Sequence, residues 1–472
     1  MRGNKLMKTR FCPSPTGHLH LGNMRTALFN ALFSKKMNAT FLLRIEDTDK
    51  ARSSNEFTES LIQDLHWLSL SWDEGPEVEG QLGPYFQSQR QAIYDHYYQQ
   101  LEEKELVYPC FCSEETLVIT RKLQLSRSQP PRYPGTCCAL SKEKILELRS
   151  QKIPESLRFK IPKGEWIEFT DLVKGPQKFK SDDIGDFIIR RHDGTPPFMF
   201  CNAIDDACMQ VTHALRGEDH LTNTPKQLLI LRALGLVPPQ YGHVSLILGR
   251  DGSPLSKRNG SRSIKELREE GFLPIAIINY LSRLGHYYEN PHFMELEKLT
   301  EFFSLKALSV SPARFDLDHL LHWQREAIAH ASLDVLGAWC HKKIENLVPK
   351  EQITDFMMAI KGNILFPQEA EQWAHIIFDD QLILNEEEKQ ILQAAGKLFF
   401  QEALTLLPSH KENFKSLSEA LSQKTKKKGK ELFLPLRILL TGKKHGPDMM
   451  SLCHLLGESR MRKRIEAACE LC

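Results

Sequence analysis

The chain has 472 residues, which at roughly 150 per domain suggests about three folding units with room for substantial cores. A hydrophobic share of 41% and a charged share of 26% exclude whole-chain disorder and low complexity, and 62 Lys+Arg against 60 Asp+Glu (formal net charge +2) exclude a uniformly basic coat while permitting a local basic face for nucleic acid. No apolar run approaches the ~20 residues that cross a bilayer. The basic start Met1–Met7 has no apolar segment of signal-peptide length behind it, and eleven cysteines, an odd number, point to reduced thiols or metal ligands, so a cytoplasmic chain is expected.

Lys8 to Phe11 reads as a short strand, Cys12 to Gly22 as a loop rich in Pro and Gly, and Asn23 to Lys35 as a helix with Met24, Ala27, Leu28, Ala31 and Leu32 on one face. Thr40 to Ile45 reads as a second strand that ends in the polar tract Glu46-Asp-Thr-Asp49. Strand, helix, strand is a βαβ unit, and its ligands bind beyond the strand ends. Between about Tyr108 and Ile189 the short segments, prolines and β-like runs such as Leu157 to Ile161 indicate an insertion. Sheet-like alternation returns from Pro197 to Leu248, with a helix near Thr224 to Leu234. From about Ile264 to Cys472 the pattern is almost wholly helical and includes the charged run Lys424-Thr-Lys-Lys-Lys-Gly-Lys430; there is no internal repeat.

The segment Arg10-Phe-Cys-Pro-Ser-Pro-Thr-Gly-His-Leu-His-Leu-Gly22 sets two prolines, two glycines and two histidines before a helix. Backbone N–H groups and imidazoles at a positive helix end suit phosphate. A plain Pro/Gly turn with surface histidines reads the same residues equally well.

Pro13-Ser-Pro-Thr-Gly17 followed by His20-Leu-Gly22 resembles the HIGH signature of class I aminoacyl-tRNA synthetases, in the form used by the glutamyl/glutaminyl branch. Arg44-Ile-Glu-Asp-Thr-Asp49, Leu215-Arg-Gly-Glu-Asp-His220 and Leu255-Ser-Lys-Arg258 resemble three further motifs of that branch, in order. Pro435-Leu-Arg437, Leu440-Thr-Gly442 and Gly446-Pro447 resemble the C-terminal region of the bacterial glutamyl-tRNA synthetase family, so the likeness runs through essentially the whole chain.

The resemblance implies a multidomain α/β plus all-α fold: a Rossmann catalytic core over 1–109 and 190–260, an inserted α+β acceptor-binding domain over 110–189, a helical stem-contact domain over 261–325 and a helical anticodon-binding domain over 326–472. It implies ATP-dependent ligation of L-glutamate to tRNA through a glutamyl-adenylate, with ATP and Mg2+ as substrate, tRNA-Glu or tRNA-Gln as acceptor, and a monomer. No G-x-x-x-x-G-K-[ST] loop occurs to carry ATP otherwise. Gly17, His20, Gly22, Ser256, Lys257 and Arg258 are the expected nucleotide contacts. His20 and Lys257 are the expected catalytic donors to charge developing on the phosphate.

Glutamate presents two carboxylates and one ammonium. Arg10 and Arg216 can pair with carboxylates and Glu46 with the ammonium, while Ser14, Phe198 and Asn202 are further contacts by resemblance. Without the resemblance, Arg10 and Arg216 would read as structural ion pairs with Glu46 or Glu218, and which arginine meets which carboxylate stays open. Two residues depart from the family pattern. Pro254 stands where a lysine usually opens the K-x-S-K-R loop, and Phe198 stands where the pocket usually has a tyrosine, which removes a hydroxyl that could read the substrate. These departures motivate a second reading, a catalytically weakened tRNA-binding paralogue. The helical pattern after Ile264 speaks against a glutaminyl-tRNA synthetase, which carries β-barrels there.

Cys110-Phe-Cys112 with Cys137 suits structural zinc. Zinc-binding relatives complete the set with Cys-x-His, but position 139 is Ala139, which leaves Tyr133 or Cys138 as fourth ligand or the site unliganded. The lysine run Lys424 to Lys430 is expected to meet RNA phosphate.

Overall fold

The N-terminal strands are apolar or buried on both sides, the mark of a parallel sheet covered on both faces. Strand β1 (Lys8–Phe11) and strand β2 (Thr40–Leu43) are buried at every position. Helix α1 (Leu21–Lys36) joins them, and its Leu21, Met24, Ala27, Leu28, Phe29 and Leu32 are buried around most of its circumference. The helix begins two residues earlier than the sequence indicated. Its cap is His20, whose Nδ1 accepts from the backbone N–H of Gly22 and Asn23, a role that capping rules assign to Ser, Thr, Asp or Asn. Strand β2 likewise stops at Leu43, because Ile45 pairs with the segment around Tyr85–Gln87 instead.

The computed structural model describes residues 7–49, 51–255, 262–410 and 413–472. It divides into two units, Met1–Arg268 with Ile277–Leu317 and Glu269–Ala276 with Asp318–Cys472.

In the first unit the inserted stretch forms β3 (Val107–Cys110), β4 (Ser156–Phe159), β5 (Trp166–Asp171), β6 (Gly175–Lys180) and β7 (Phe187–Arg190). These make two antiparallel sheets, β3-β4-β7 and the hairpin β5-β6. The chain then returns to the parallel sheet through β8 (His213–Gly217) and β9 (Gln240–Val244), giving the order β2-β1-β8-β9. One reading is corrected here. The start of the stretch expected to alternate, Phe198–Cys208, is a helix, because an apolar run buried all round carries no period. Within the tail that reads as almost wholly helical, the two-residue β11 (Ala313–Arg314) pairs in parallel with β10 (Ile247–Leu248).

The second unit is built from helices, including Leu333–Ile344, Pro367–Phe378, Lys397–His410 and Met449–Leu471, around a core with Leu336, Phe356, Phe400, Leu436 and Leu452 at 0–1% exposure. The C-terminal motif serves as a turn. Arg437 Nη1 donates to Pro447 O at 3.0 Å, Thr441 Oγ1 donates to Arg437 O at 2.7 Å, and Gly446, at φ 154°, leaves no room for a side chain against Trp373. Within the lysine run, Lys424 pairs with Glu402 at 3.3 Å and Lys427 donates to Ala395 O at 2.6 Å. At least two of these lysines therefore secure the fold locally. Among the described residues no helix is long and apolar enough to cross a membrane.

Candidate active site

Beyond the carboxyl ends of β1 and β8 lies a cavity of about 700 Å³, walled by the loop after β1, the first turn of α1, the motif after β8 and the segment 245–255. Arg10, Ser14, Gly17, His20, Gly22, Glu46, Phe198 and Arg216 line it together. Asn202 does not. It is wholly buried behind the wall, where Nδ2 donates to Glu46 Oε1 at 2.7 Å and Oδ1 accepts from Gln227 at 3.0 Å and, weakly, from Arg216 Nη1 at 3.5 Å. Ser256, Lys257 and Arg258 lie outside the described residues. The flanks of that segment belong to the site, since Leu255 is in the cavity wall and Ser263 bridges His20 through the backbone.

Because His20 Nδ1 accepts two backbone N–H bonds, its ring proton sits on Nε2. Burial lowers its pKa from the ordinary histidine value, with Asp219 pulling the other way, so the ring is a neutral donor at the positive end of α1. A Cβ at Gly22 would stand 3.0 Å from that ring, whereas at Gly17 it would meet nothing within 4 Å, on the open side of the loop.

The two arginines differ. Arg10 is an ion-paired cation: Nε lies 3.1 Å from Asp206 Oδ2 and Nη1 donates to Leu215 O at 3.1 Å, which leaves Nη2 buried without a hydrogen-bond partner among the described residues. Its partner is therefore Asp206, neither of the acids named from sequence. Arg216, 4% exposed, is held by neutral acceptors. Nε meets His243 Nε2 at 3.1 Å and Nη2 meets Thr224 Oγ1 at 2.8 Å and Gln227 Oε1 at 2.7 Å. Burial lowers its pKa from the usual arginine range, yet a guanidinium stays charged. Glu218 pairs instead with Lys174.

Three donors converge on Oε1 of Glu46, from Arg44 at 3.1 Å, Asn202 at 2.7 Å and Gln87 at 3.5 Å. Burial raises the Glu46 pKa above its ordinary value, against the pull of Arg44. Behind it stands a network the sequence did not reveal. Arg44 meets Asp206 at 2.8 Å, Arg90 meets Asp205 at 2.6 Å, and Tyr94 donates to Asp205 at 2.8 Å. The bonded pairs, counting Arg10 with Asp206, lie 111 to 196 positions apart in the chain, so no local pattern joins them. Arg25 was also missed. From α1 it donates to Ser245 O and to Leu284 O at 3.0 Å, and burial pushes its pKa down to about 10. Phe198 packs on His220 with ring centroids 4.7 Å apart, and burial lowers His220 to about 4, a neutral ring.

In the insertion, Cys110, Cys112 and Cys137 bring their sulfurs within 4.8 Å of one another. Tyr133 OH lies 3.5 Å from Cys110 Sγ and 3.4 Å from Cys112 Sγ, and Cys112 and Cys137 Sγ are 3.6 Å apart. Tetrahedral zinc with ~2.3 Å Zn–S and ~2.0 Å Zn–O bonds would set such pairs about 3.8 and 3.5 Å apart, so the four fit. Cys138 is exposed and stands outside the group. Burial pushes the Cys110 thiol up, but hydrogen bonds with Tyr133 and Arg158 outweigh it and the net shift is downward, toward the thiolate a metal needs. Arg158 lies 3.7 Å over the Tyr133 ring.

The model of the family "tRNA synthetases class I (E and Q), catalytic domain" matches residues 6–322, and that of "Anticodon binding domain" matches residues 336–469. The chain is 52% identical over 460 residues to glutamate–tRNA ligase 2 of Nitrosococcus oceani, covering 98% of each. It is 49% identical over 465 residues to glutamate–tRNA ligase 2 of Coxiella burnetii, covering 98% of this chain and 100% of that one. Among solved structures, a glutamate tRNA ligase from Elizabethkingia meningosepticum in complex with its amino acid superposes with a TM-score of 0.90 at 28% identity, covering 99% of both chains. With a catalytic-domain match that spans two thirds of its length and near full-length relatives at about half identity, the chain belongs to the class I tRNA synthetases of the E and Q family.

Proposed function

We propose that this chain ligates L-glutamate to tRNA in two steps. The α-carboxylate of glutamate attacks the α-phosphorus of ATP and releases pyrophosphate; a ribose hydroxyl at the tRNA 3′ end then attacks the mixed anhydride and releases AMP. The observation that carries the reading is the pairing, in one cavity, of an arginine with no acidic partner among the described residues and a buried glutamate whose bonded donors all meet Oε1.

Arg216 takes a substrate carboxylate, for which its neutral neighbours leave the full charge available. Glu46 Oε2 takes the ammonium. Arg10, already neutralised by Asp206, offers Nη2 as a directed donor, and Asn202 sets Glu46 and Arg216 in register from behind. His20 Nε2–H donates to phosphate oxygens as charge builds on them, beside the N–H groups that open α1. Ser256, Lys257 and Arg258, next in the chain after Leu255, supply further phosphate contacts. Positioning and electrostatics carry the rate, because none of these groups needs to act as nucleophile or base.

Cys110, Cys112, Cys137 and Tyr133 hold a structural zinc, which when bound ties β3 to the loop after it. Mg2+ enters with ATP. Aminoacylation of purified tRNA-Glu and tRNA-Gln with glutamate, scored separately, tests the function. Charging of either supports ligation and names the acceptor; charging of neither, with pure ATP and glutamate present, refutes it.

A further inference from the structure

Arg216 is held by a chain of hydrogen bonds that starts in the β5-β6 hairpin. Asp171 closes that hairpin at 2% exposure. Its Oδ1 accepts from the backbone N–H of Val173 at 2.9 Å, Lys174 at 2.8 Å and His243 at 3.1 Å. Its Oδ2 lies 2.5 Å from His243 Nδ1. On the other side of the imidazole, Nε2 faces Arg216 Nε at 3.1 Å and Thr224 Oγ1 at 3.1 Å.

Both neighbours dictate one tautomer. An ionised carboxylate can only accept, so Nδ1 carries the proton; a guanidinium can only donate, so Nε2 carries the lone pair. A carboxylate placed directly on Arg216 would hold it equally well and cancel its charge. Here the anion is one ring away, and the arginine is oriented by an uncharged nitrogen.

We propose that Asp171 and His243 are positioning residues for substrate recognition: Asp171 fixes the His243 tautomer, and His243 fixes the Arg216 fork so that Nη1 is presented to the substrate carboxylate with its charge intact. The inference rests on the reading of Arg216 as the carboxylate-binding residue. It also makes the inserted hairpin part of the substrate pocket's support, 45 residues before Arg216 in the chain.

Asp171→Asn is the discriminating variant. The amide oxygen can keep the three backbone bonds, whereas the new NH2 needs Nδ1 as an acceptor and drives the ring proton to Nε2, against Arg216 Nε–H. A structurally intact active-site triad suffers in the same way when its acid becomes an amide and the histidine adopts the wrong tautomer. In steady-state aminoacylation the KM for glutamate should rise roughly 10- to 100-fold, the loss of a charge-assisted bond, with KM for ATP within about 3-fold of wild type. His243→Gln offers Arg216 an amide oxygen that has no tautomer to choose. In that background Asp171→Asn should add less than about a 3-fold effect, a coupling that mere destabilisation would not produce.

Arg216→Leu is measured alongside. A raised glutamate KM there with an unchanged one in Asp171→Asn would overturn the positioning role alone, and parallel losses for glutamate and ATP, or additive effects in the double variant, would overturn it too. An unchanged glutamate KM in Arg216→Leu would overturn the reading of Arg216 and this inference together.

Discussion

The two units bury charge for different ends. In the helical unit the buried charged residues among those described are Glu388 and Arg464. Glu388 completes a capping box on Asn385, and Arg464 donates to the carbonyls of Leu440, Ile376 and Asp379. Both satisfy backbone groups at helix ends. In the α/β unit, Arg10, Arg44, Arg90, Asp205 and Asp206 pair with one another, and Arg10, Glu46 and Arg216 also line the cavity. Charge is costly to bury even when paired. At helix ends the buried charge satisfies backbone groups, whereas beside the cavity it suits the charges of the proposed amino-acid substrate.

That contrast can be broken most forcefully at Asp206. Asp206→Asn leaves Arg10 and Arg44 short of an anion in a dry environment and should cost ~3–5 kcal/mol of unfolding free energy, with activity lost in the fraction that folds. Arg464→Met removes only neutral carbonyl partnerships and should cost about 1–3 kcal/mol with KM for glutamate unchanged. Urea denaturation followed by activity in the folded range reads both. A larger loss at Arg464 than at Asp206 would erase the distinction.

Acid should also separate the units. Burial pushes Asp206 up, but Arg10 and Arg44 outweigh it and hold the carboxyl below its ordinary value of 3.8. A depressed acid contributes stability that is complete above the unfolded pKa and is lost as pH falls through the folded one. Asp171, held down chiefly by His243 against burial, acts in the same direction. Hydrogen exchange below pH 4 should therefore lose protection first in β1, β8 and the helix Phe198–Cys208; earlier loss in Met449–Leu471 would contradict it.

Smaller effects sharpen the site. Cys112→Ser should abolish a zinc content of close to one equivalent by elemental analysis, and Tyr133→Phe should weaken zinc retention against a chelator, as the loss of one ligand of four requires. Metal-free wild-type protein with full activity would remove zinc from the description. Phe198→Tyr, which adds a hydroxyl beside His220, should change the glutamate KM by only a few-fold, since a pocket gains little from a donor for which it already has substitutes.

Much of this was legible in the residues. The first strand, the loop and helix after it, and the ordered motifs placed His20, Glu46 and Arg216 around one cavity because Glu46 and Arg216 lie at strand ends and His20 caps the helix that follows the first strand, where a parallel sheet puts its ligands. What stayed hidden was pairing at a distance. Arg10 reads from sequence as a carboxylate contact or an ion pair with Glu46 or Glu218, and Asp206, 196 positions on, is met only in the fold; Asp171 and His243, 72 positions apart, likewise share no local pattern. Sequence periodicity reports which face is buried and cannot report which buried charges meet. Between the two candidates for a fourth position beside the three cysteines, Tyr133 OH lies 3.4 Å from Cys112 Sγ whereas Cys138 is exposed, a difference that spacing alone does not carry.

The most direct test of the uncompensated arginine is substrate choice. Adenylate formation measured with glutamate and with glutamine, for wild type and Arg216→Leu, isolates the carboxylate, because the two substrates differ only in that group. Wild type should favour glutamate by roughly 10³-fold or more in kcat/KM, and Arg216→Leu should collapse the ratio toward unity. A ratio preserved in Arg216→Leu would mean that another group reads the carboxylate and that the neutral cradle around Arg216 serves the fold alone.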